Sequence, residues 1–193
     1  MAVKTPLNRT LPTARERILL AAHDLFYKDG IRATGIDRVI AGAGVTKVTF
    51  YRHFPSKNDL IEAFLEYRHD LWITWFAKAL ERQNAAGQQS IAALAPALAA
   101  WFRNGNYRGC AFLNTVVELG DVLPGASEIA KRHKKQMTAL IASLLPPSAH
   151  RLADAQAIAL AVDGAILRAQ MDASATLALK GLKRVVQAII TCP

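Results

Sequence analysis

Residues 46–54 read TKVTFYRHF, and Pro55 follows at once. Phe50 and Phe54 lie four apart, so on a helix they share one face. Turning the wheel leaves Lys47, Val48, Thr49, Tyr51, Arg52 and His53 spread over the opposite side. Thr46 is positioned to cap the helix. Pro55 disfavours the α region for Phe54, so the helix must stop there. A thin apolar seam under a broad basic and aromatic face is not the composition of a core helix. It suits a surface that meets phosphates and base edges.

Working upstream, Ile36, Val39, Ile40 and Ala43 fall at i, i+3, i+4 and i+7, one face of another short helix. Thr34 with Asp37 is a candidate start for it. Gly44 breaks it, because a tight turn needs a residue that tolerates φ > 0. Two short helices joined by GAGVT form a helix-turn-helix, whose first helix crosses the DNA backbone and whose second lies in the major groove. Lys57, in the first turn of the next helix, can join the free N–H groups there in holding a phosphate. The same pattern also fits an amphipathic hairpin whose charges are simply solvated.

The rest of the chain reads as helix too, so the expected fold class is all-α with about nine helices. Thr13 and Glu16 form a capping box ahead of the apolar face of Ile18, Leu19, Ala22, Leu25 and Phe26, and Gly30 ends that helix. Ser56 with Asp59 opens a long helix running to about Gln83. Further helices are expected near Gln89–Phe102, Cys110–Leu119, Ser127–Leu144, Leu152–Met171 and Thr176–Ile190, separated by the turn signals Asn104-Gly105-Asn106, Pro124-Gly125 and Pro146-Pro147. The domain division is a flexible basic arm over 1–12, a helix-turn-helix domain over 13–56, and a helical ligand-binding and dimerisation domain over 57–193.

Charge follows this division. The 193 residues carry a formal net charge of +9, and the first 57 hold ten Lys or Arg against four acids, +6 of that total. A basic N-terminal module on a near-neutral body suggests a polyanionic partner for the module alone. No run approaches the roughly 20 apolar residues of a membrane span, and no apolar leader is seen, so a cytoplasmic protein without membrane contact is expected. Cys110 and Cys192 make no disulfide framework. No P-loop, GxGxxG, HExxH or CxxC occurs and the five histidines are scattered, so neither an enzyme, a metal site nor a cofactor is expected.

The stretch ATGIDRVIAGAGVTKVTFYRHFPSKNDLIEAF (33–64), preceded by RERILLAAHDLFYKDGIRAT (15–34), resembles the N-terminal domain of the TetR family of bacterial transcriptional regulators. The resemblance covers roughly residues 13–65. It implies that Thr46, Thr49, Tyr51, His53 and Lys57 hold the phosphate backbone and that Lys47, Val48 and Arg52 face base edges. Many members have Gly where Val48 stands, and Val48 would offer an apolar contact to a thymine methyl. Arg38 adds a further phosphate contact in that scheme. The resemblance also implies a homodimer on a palindromic operator in double-stranded DNA, associated with the nucleoid when bound, repression as the usual output, and release by a small-molecule effector.

Beyond residue 65 the resemblance weakens, although RGCAFLNTVVELGD, IAKRHKKQM and DGAILRAQM look like one subgroup of TetR-like ligand-binding domains. Phe64, Trp72, Trp75, Phe76, Trp101, Phe112 and Met137 are large side chains on helices that would surround a cavity, or else simply core. Asn114 and Glu118 are a polar pair four apart on an apolar helix, and such a pair facing inward needs a partner. The basic run 131–135 reads as a solvated face. Ile158, Val162, Ile166, Leu182, Val185 and Ile189 on the last two helices are the candidate dimer interface, with internal packing as the alternative. Two competing functions remain at this stage: a redox or electrophile sensor acting through Cys110, and a non-specific nucleoid-binding protein.

Overall fold

The computed structural model of the chain describes residues 11–84, 90–172 and 174–191. The expected basic arm, save its last two residues, and Cys192 lie outside them. Among the described residues there are nine α-helices, one 3-10 turn and no strand.

The head is built from α1 (Ala14–Asp29), α2 (Ile36–Ala43), α3 (Lys47–His53) and the first turns of α4 (Lys57–Gln83). The Thr13 hydroxyl accepts the Glu16 N–H at 3.3 Å while the Glu16 carboxylate accepts the Thr13 N–H at 2.7 Å, so the capping box starts α1. Gly30 ends it at φ +89°, a conformation that side chains with a Cβ rarely adopt. Gly44 makes the turn between α2 and α3 at φ +61° and ψ +43°. Arg17 on α1 donates from Nε to the Ala43 carbonyl at 3.1 Å, fastening the end of α2 to the first helix. Ile18, Ala22, Val39, Phe50 and Leu60 are fully buried where the four helices meet.

One expected cap is different. Thr34 does not cap α2; Gly35 holds that position with no side-chain bond. Thr34 is instead buried, and its hydroxyl donates to the Gly30 carbonyl at 2.7 Å. The satisfied inward hydroxyl rigidifies the α1–α2 linker, which local spacing alone could not reveal.

At 27 residues α4 is about 40 Å long, and it runs from the head into the body. Its N-terminal half belongs to the head core, where Phe64 meets Phe26 edge-to-face at 5.5 Å between centroids. Residues 56–57 are therefore a cap rather than a boundary between cores. The body comprises a 3-10 turn (Ile91–Ala93), α5 (Leu94–Phe102), α6 (Ala111–Leu119), α7 (Pro124–Ser143), α8 (Arg151–Met171) and α9 (Thr176–Thr191). α7 packs on α4, α6 and α8, and α9 lies along α8. Pro124 is not a turn before α7 but its first residue, where its missing N–H costs nothing. No described helix is long and apolar enough to cross a membrane.

Candidate nucleic-acid interface

α3 is held by its ends and by one seam. The Thr46 hydroxyl accepts the Thr49 N–H at 3.1 Å, and Phe50 and Phe54 are buried against the other head helices. The remaining residues are displayed. Lys47, Val48, Tyr51 and Arg52 are exposed, Thr49 and His53 half-buried. Val48 is 79% exposed, an apolar side chain kept in water on the face that the seam turns outward. The Tyr51 ring stands edge-on to Phe50 at 5.2 Å, so its position is fixed by the core while the side chain stays accessible.

Two residues behave differently from the sequence expectation. Arg38 forms an ion pair with Asp29 at 2.7 Å. The Lys57 ammonium donates to the Ile31 carbonyl at 2.7 Å, and partial burial holds its pKa below the usual lysine value, opposed by the Glu118 carboxylate. The N-terminus of α4 is already occupied by its own capping box, since the Ser56 N–H donates to Asp59 Oδ2 at 2.9 Å. Lys57 thus ties α4 to the α1–α2 linker, and the anion at that helix end is Asp59. Spacing located the residue but not the direction of its ammonium.

Residues 18–64 match the family model described as bacterial regulatory proteins, tetR family. They belong to the TetR family. The chain is 34% identical over 80 residues to the HTH-type transcriptional activator FasR of Mycolicibacterium smegmatis, a stretch covering 42% of this chain and 36% of that protein. The chain thus matches about a third of the length of this curated relative. A TetR-family transcriptional regulator from Streptomyces coelicolor has a solved structure that superposes with a TM-score of 0.78 at 28% identity, covering 92% of this chain and 96% of that one. A putative TetR-type regulator from Streptomyces avermitilis gives a TM-score of 0.76, also at 28% identity, over 92% and 98% of the two chains. The TetR fold therefore extends through the body, where the sequence resemblance had faded.

Within that TetR body the nominated ligand residues divide. Trp72, Trp101, Phe112 and Met137 converge on a small interior cavity of about 10 Å³, beside Arg68, Cys110 and His133. Phe64, Asn114 and Glu118 line a different cleft, of about 140 Å³, between head and body. Trp75 and Phe76 line neither; Phe76 is fully buried and stacks on Trp72 at 4.6 Å. The partners that Asn114 and Glu118 required are backbone groups. Asn114 donates to the Arg108 carbonyl at 3.1 Å, and Glu118 accepts the Arg32 N–H at 3.0 Å, joining α6 to the head.

The run 131–135 is not a uniform solvated face. His133 is 2% exposed, with its Nδ1 3.2 Å from Nδ1 of buried His69. Lys134 pairs with Asp163 at 2.5 Å, while Arg132 pairs with Glu66. The pattern did contain the signal: His133 lies four residues from both Ile129 and Met137, and Arg68 four from both Phe64 and Trp72. Each polar residue interrupts an apolar stripe rather than flanking it. Cys110 is buried and immediately precedes α6.

The dimer candidates need correction. Ile158, Val162, Ile166 and Leu182 are at most 2% exposed within the single chain, so they pack α8 and α9 inward. Ile189 is half-buried, and Val185 alone of the six is exposed. The outward apolar stripes are Leu160, Leu167 and Met171 on α8, with Leu177 and Val185 on α9. Both sides of these two helices are apolar, and the nominated side is mostly the one packed inward within the chain.

Proposed function

We propose that the protein is a DNA-binding transcriptional regulator that acts as a homodimer on a palindromic operator and responds to a small-molecule effector. The observation that carries the reading is the outward face of α3, where Lys47, Val48, Tyr51 and Arg52 stand exposed over a buried Phe50–Phe54 seam. Lys47, Val48 and Arg52 are assigned to base edges, and Thr46, Thr49, Tyr51 and His53 to phosphates. Arg38 contributes by exchanging Asp29 for a phosphate, and Lys57 by holding the linker.

The dimer is supported by the stripes on α8 and α9. Gly164 and Gly181 sit among those exposed apolar residues, and a Cβ at either would meet nothing within 4 Å. An exposed glycine inside a helix costs about 1 kcal/mol relative to alanine, a cost that close approach of a second helix can offset. Pairing two chains here would form a four-helix interface and set two recognition helices about one DNA turn apart.

Effector response is assigned to the body, with the long α4 and the Glu118–Arg32 contact of α6 as its mechanical links to the head. An effector releases DNA only if it binds the released conformer more tightly than the DNA-competent one. Repression is the assigned output, by analogy with the family's usual mode, and an activator among its relatives is the reason to test the sign directly.

The test is genome-wide selection of DNA fragments by the purified protein at near-physiological salt, repeated with Arg52→Ala. A short palindrome recovered by the natural protein and lost in the variant is expected, with affinity falling steeply as salt rises. Uniform recovery by both proteins would favour non-specific nucleoid binding and defeat this reading.

A further inference from the structure

The interior of the body contains positive charge and hydrogen-bond donors without an anion. Arg68 is half-buried, and desolvation holds its pKa below the usual arginine value. No ion pair among the described residues includes it. Its neighbours are the Tyr27 ring, 3.8 Å from the guanidinium carbon to the ring centroid, and Nε2 of His23 at 3.4 Å. Neither carries a negative charge. A partly desolvated guanidinium normally has a carboxylate beside it, because desolvation without a counter-charge is costly.

Arg68 lines the small cavity between α4, α5, α6, α7 and α8, and the other lining groups do not supply the missing charge. Trp72 also lines it, and its indole N–H is buried with no acceptor. His133 is neutral, its pKa pushed down to about 2 by burial and by Lys134, His69 and Arg68 around it. Lys134 is the remaining cation, and its carboxylate partner Asp163 is committed to it. Cys110 contributes a thiol at the start of α6, and the remaining walls, Trp101, Ala111, Phe112, Met137 and Ile166, are apolar.

We propose that this cavity is the effector site and that its ligand class is an aromatic carboxylate, with the carboxylate on Arg68 and the ring among Trp72, Trp101 and Phe112. The inference rests on the regulator reading for its consequence, though not for its test. A water fits about 10 Å³ and could accept from the indole, but it leaves the guanidinium uncompensated. A ring does not fit without movement. Met137 has the flexible, polarizable side chain that can give way, and the space it opens lies between α7 and the helices that reach the head. A ligand that must part these helices is one that binds the two conformers differently, as an effector has to. Bidentate pairing with Arg68 would supply specificity for the planar carboxylate over its neutral isostere.

The experiment is calorimetric titration of the full chain, without DNA, with 2-naphthoate and separately with the neutral 2-naphthamide, following tryptophan fluorescence in parallel. The acid is expected to bind and to perturb the emission of Trp72 and Trp101, with the amide weaker by about tenfold or more, the scale of a charge-assisted hydrogen bond. Arg68→Met should abolish the preference for the acid, and Arg68→Lys, which keeps the charge but not the bidentate fork, should keep part of it. Equal affinity for acid and amide, binding of neither, undiminished acid binding by Arg68→Met, or occupation of the site by chloride alone would each overturn the proposal. Binding of the acid by a protein that selects no operator would leave the ligand class standing and defeat only the regulator reading.

Discussion

The two imidazoles of His69 and His133 approach through their Nδ1 atoms at 3.2 Å, so a hydrogen bond between them requires one donor and one acceptor. His133 meets this requirement by staying neutral, burial among Lys134, His69 and Arg68 holding its pKa near 2. The sign of the consequence follows from proton counting. Between about pH 6.5 and 2 the unfolded chain binds a proton at this site that the folded chain refuses, so stability falls as the pH drops below about 6.5. One proton corresponds to a slope of at most about 1.4 kcal/mol per pH unit. Replacing His133 with Gln should flatten urea-unfolding free energy against pH by up to that slope between about pH 6 and 4. An unchanged slope would mean that His133 titrates normally. Caps were legible at this scale, because a Thr or Ser three residues before an acid acts on its own backbone. His133 and Arg68 left only a weak trace, because a basic residue interrupting an apolar stripe reads as a surface residue until its neighbours are in place.

Among the elements, α3 and α6 show opposite degrees of legibility. α3 is bounded by residues that act locally: the Thr46 cap, the αL turn at Gly44 and Pro55, so its limits Lys47–His53 followed from the spacing. α6 was equally clear as a helix, but its function is a contact 86 residues away in sequence, from Glu118 to the Arg32 N–H. That contact braces the α1–α2 linker, whose Ile31 carbonyl also receives Lys57. Glu118→Ala should raise the amide hydrogen-exchange rate of Arg32 by about five- to tenfold, reflecting loss of roughly one hydrogen bond, while leaving the amides within α3 unchanged. Faster exchange throughout the head would instead indicate that the whole helix-turn-helix had loosened.

For the whole molecule, the side of α8 and α9 that faces away from the chain is apolar. Leu160 is 74% exposed and Leu167 53% exposed, one helical face apart by seven residues. Leu160→Asp combined with Leu167→Asp should leave the helical content of the chain nearly unchanged, since neither side chain supports its core. In sedimentation the double variant should run as a monomer, and operator affinity should drop by about 100-fold or more as two linked half-site contacts become one. A double variant that remains dimeric would move the interface elsewhere.

The all-α class, the helix-turn-helix at residues 36–53, and the family of residues 18–64 were readable from the chain alone, since each depends on periodicity, caps and breakers within a few residues. Tertiary structure decided which of several apolar or polar faces turned inward. It buried Ile158, Val162 and Ile166 rather than exposing them, turned the Lys57 ammonium to a carbonyl, and enclosed Arg68 beside Trp72 and Trp101. Helices that are apolar on two sides, and long side chains that can reach in several directions, satisfy local rules equally well in more than one orientation. Only packing against distant segments selects among them.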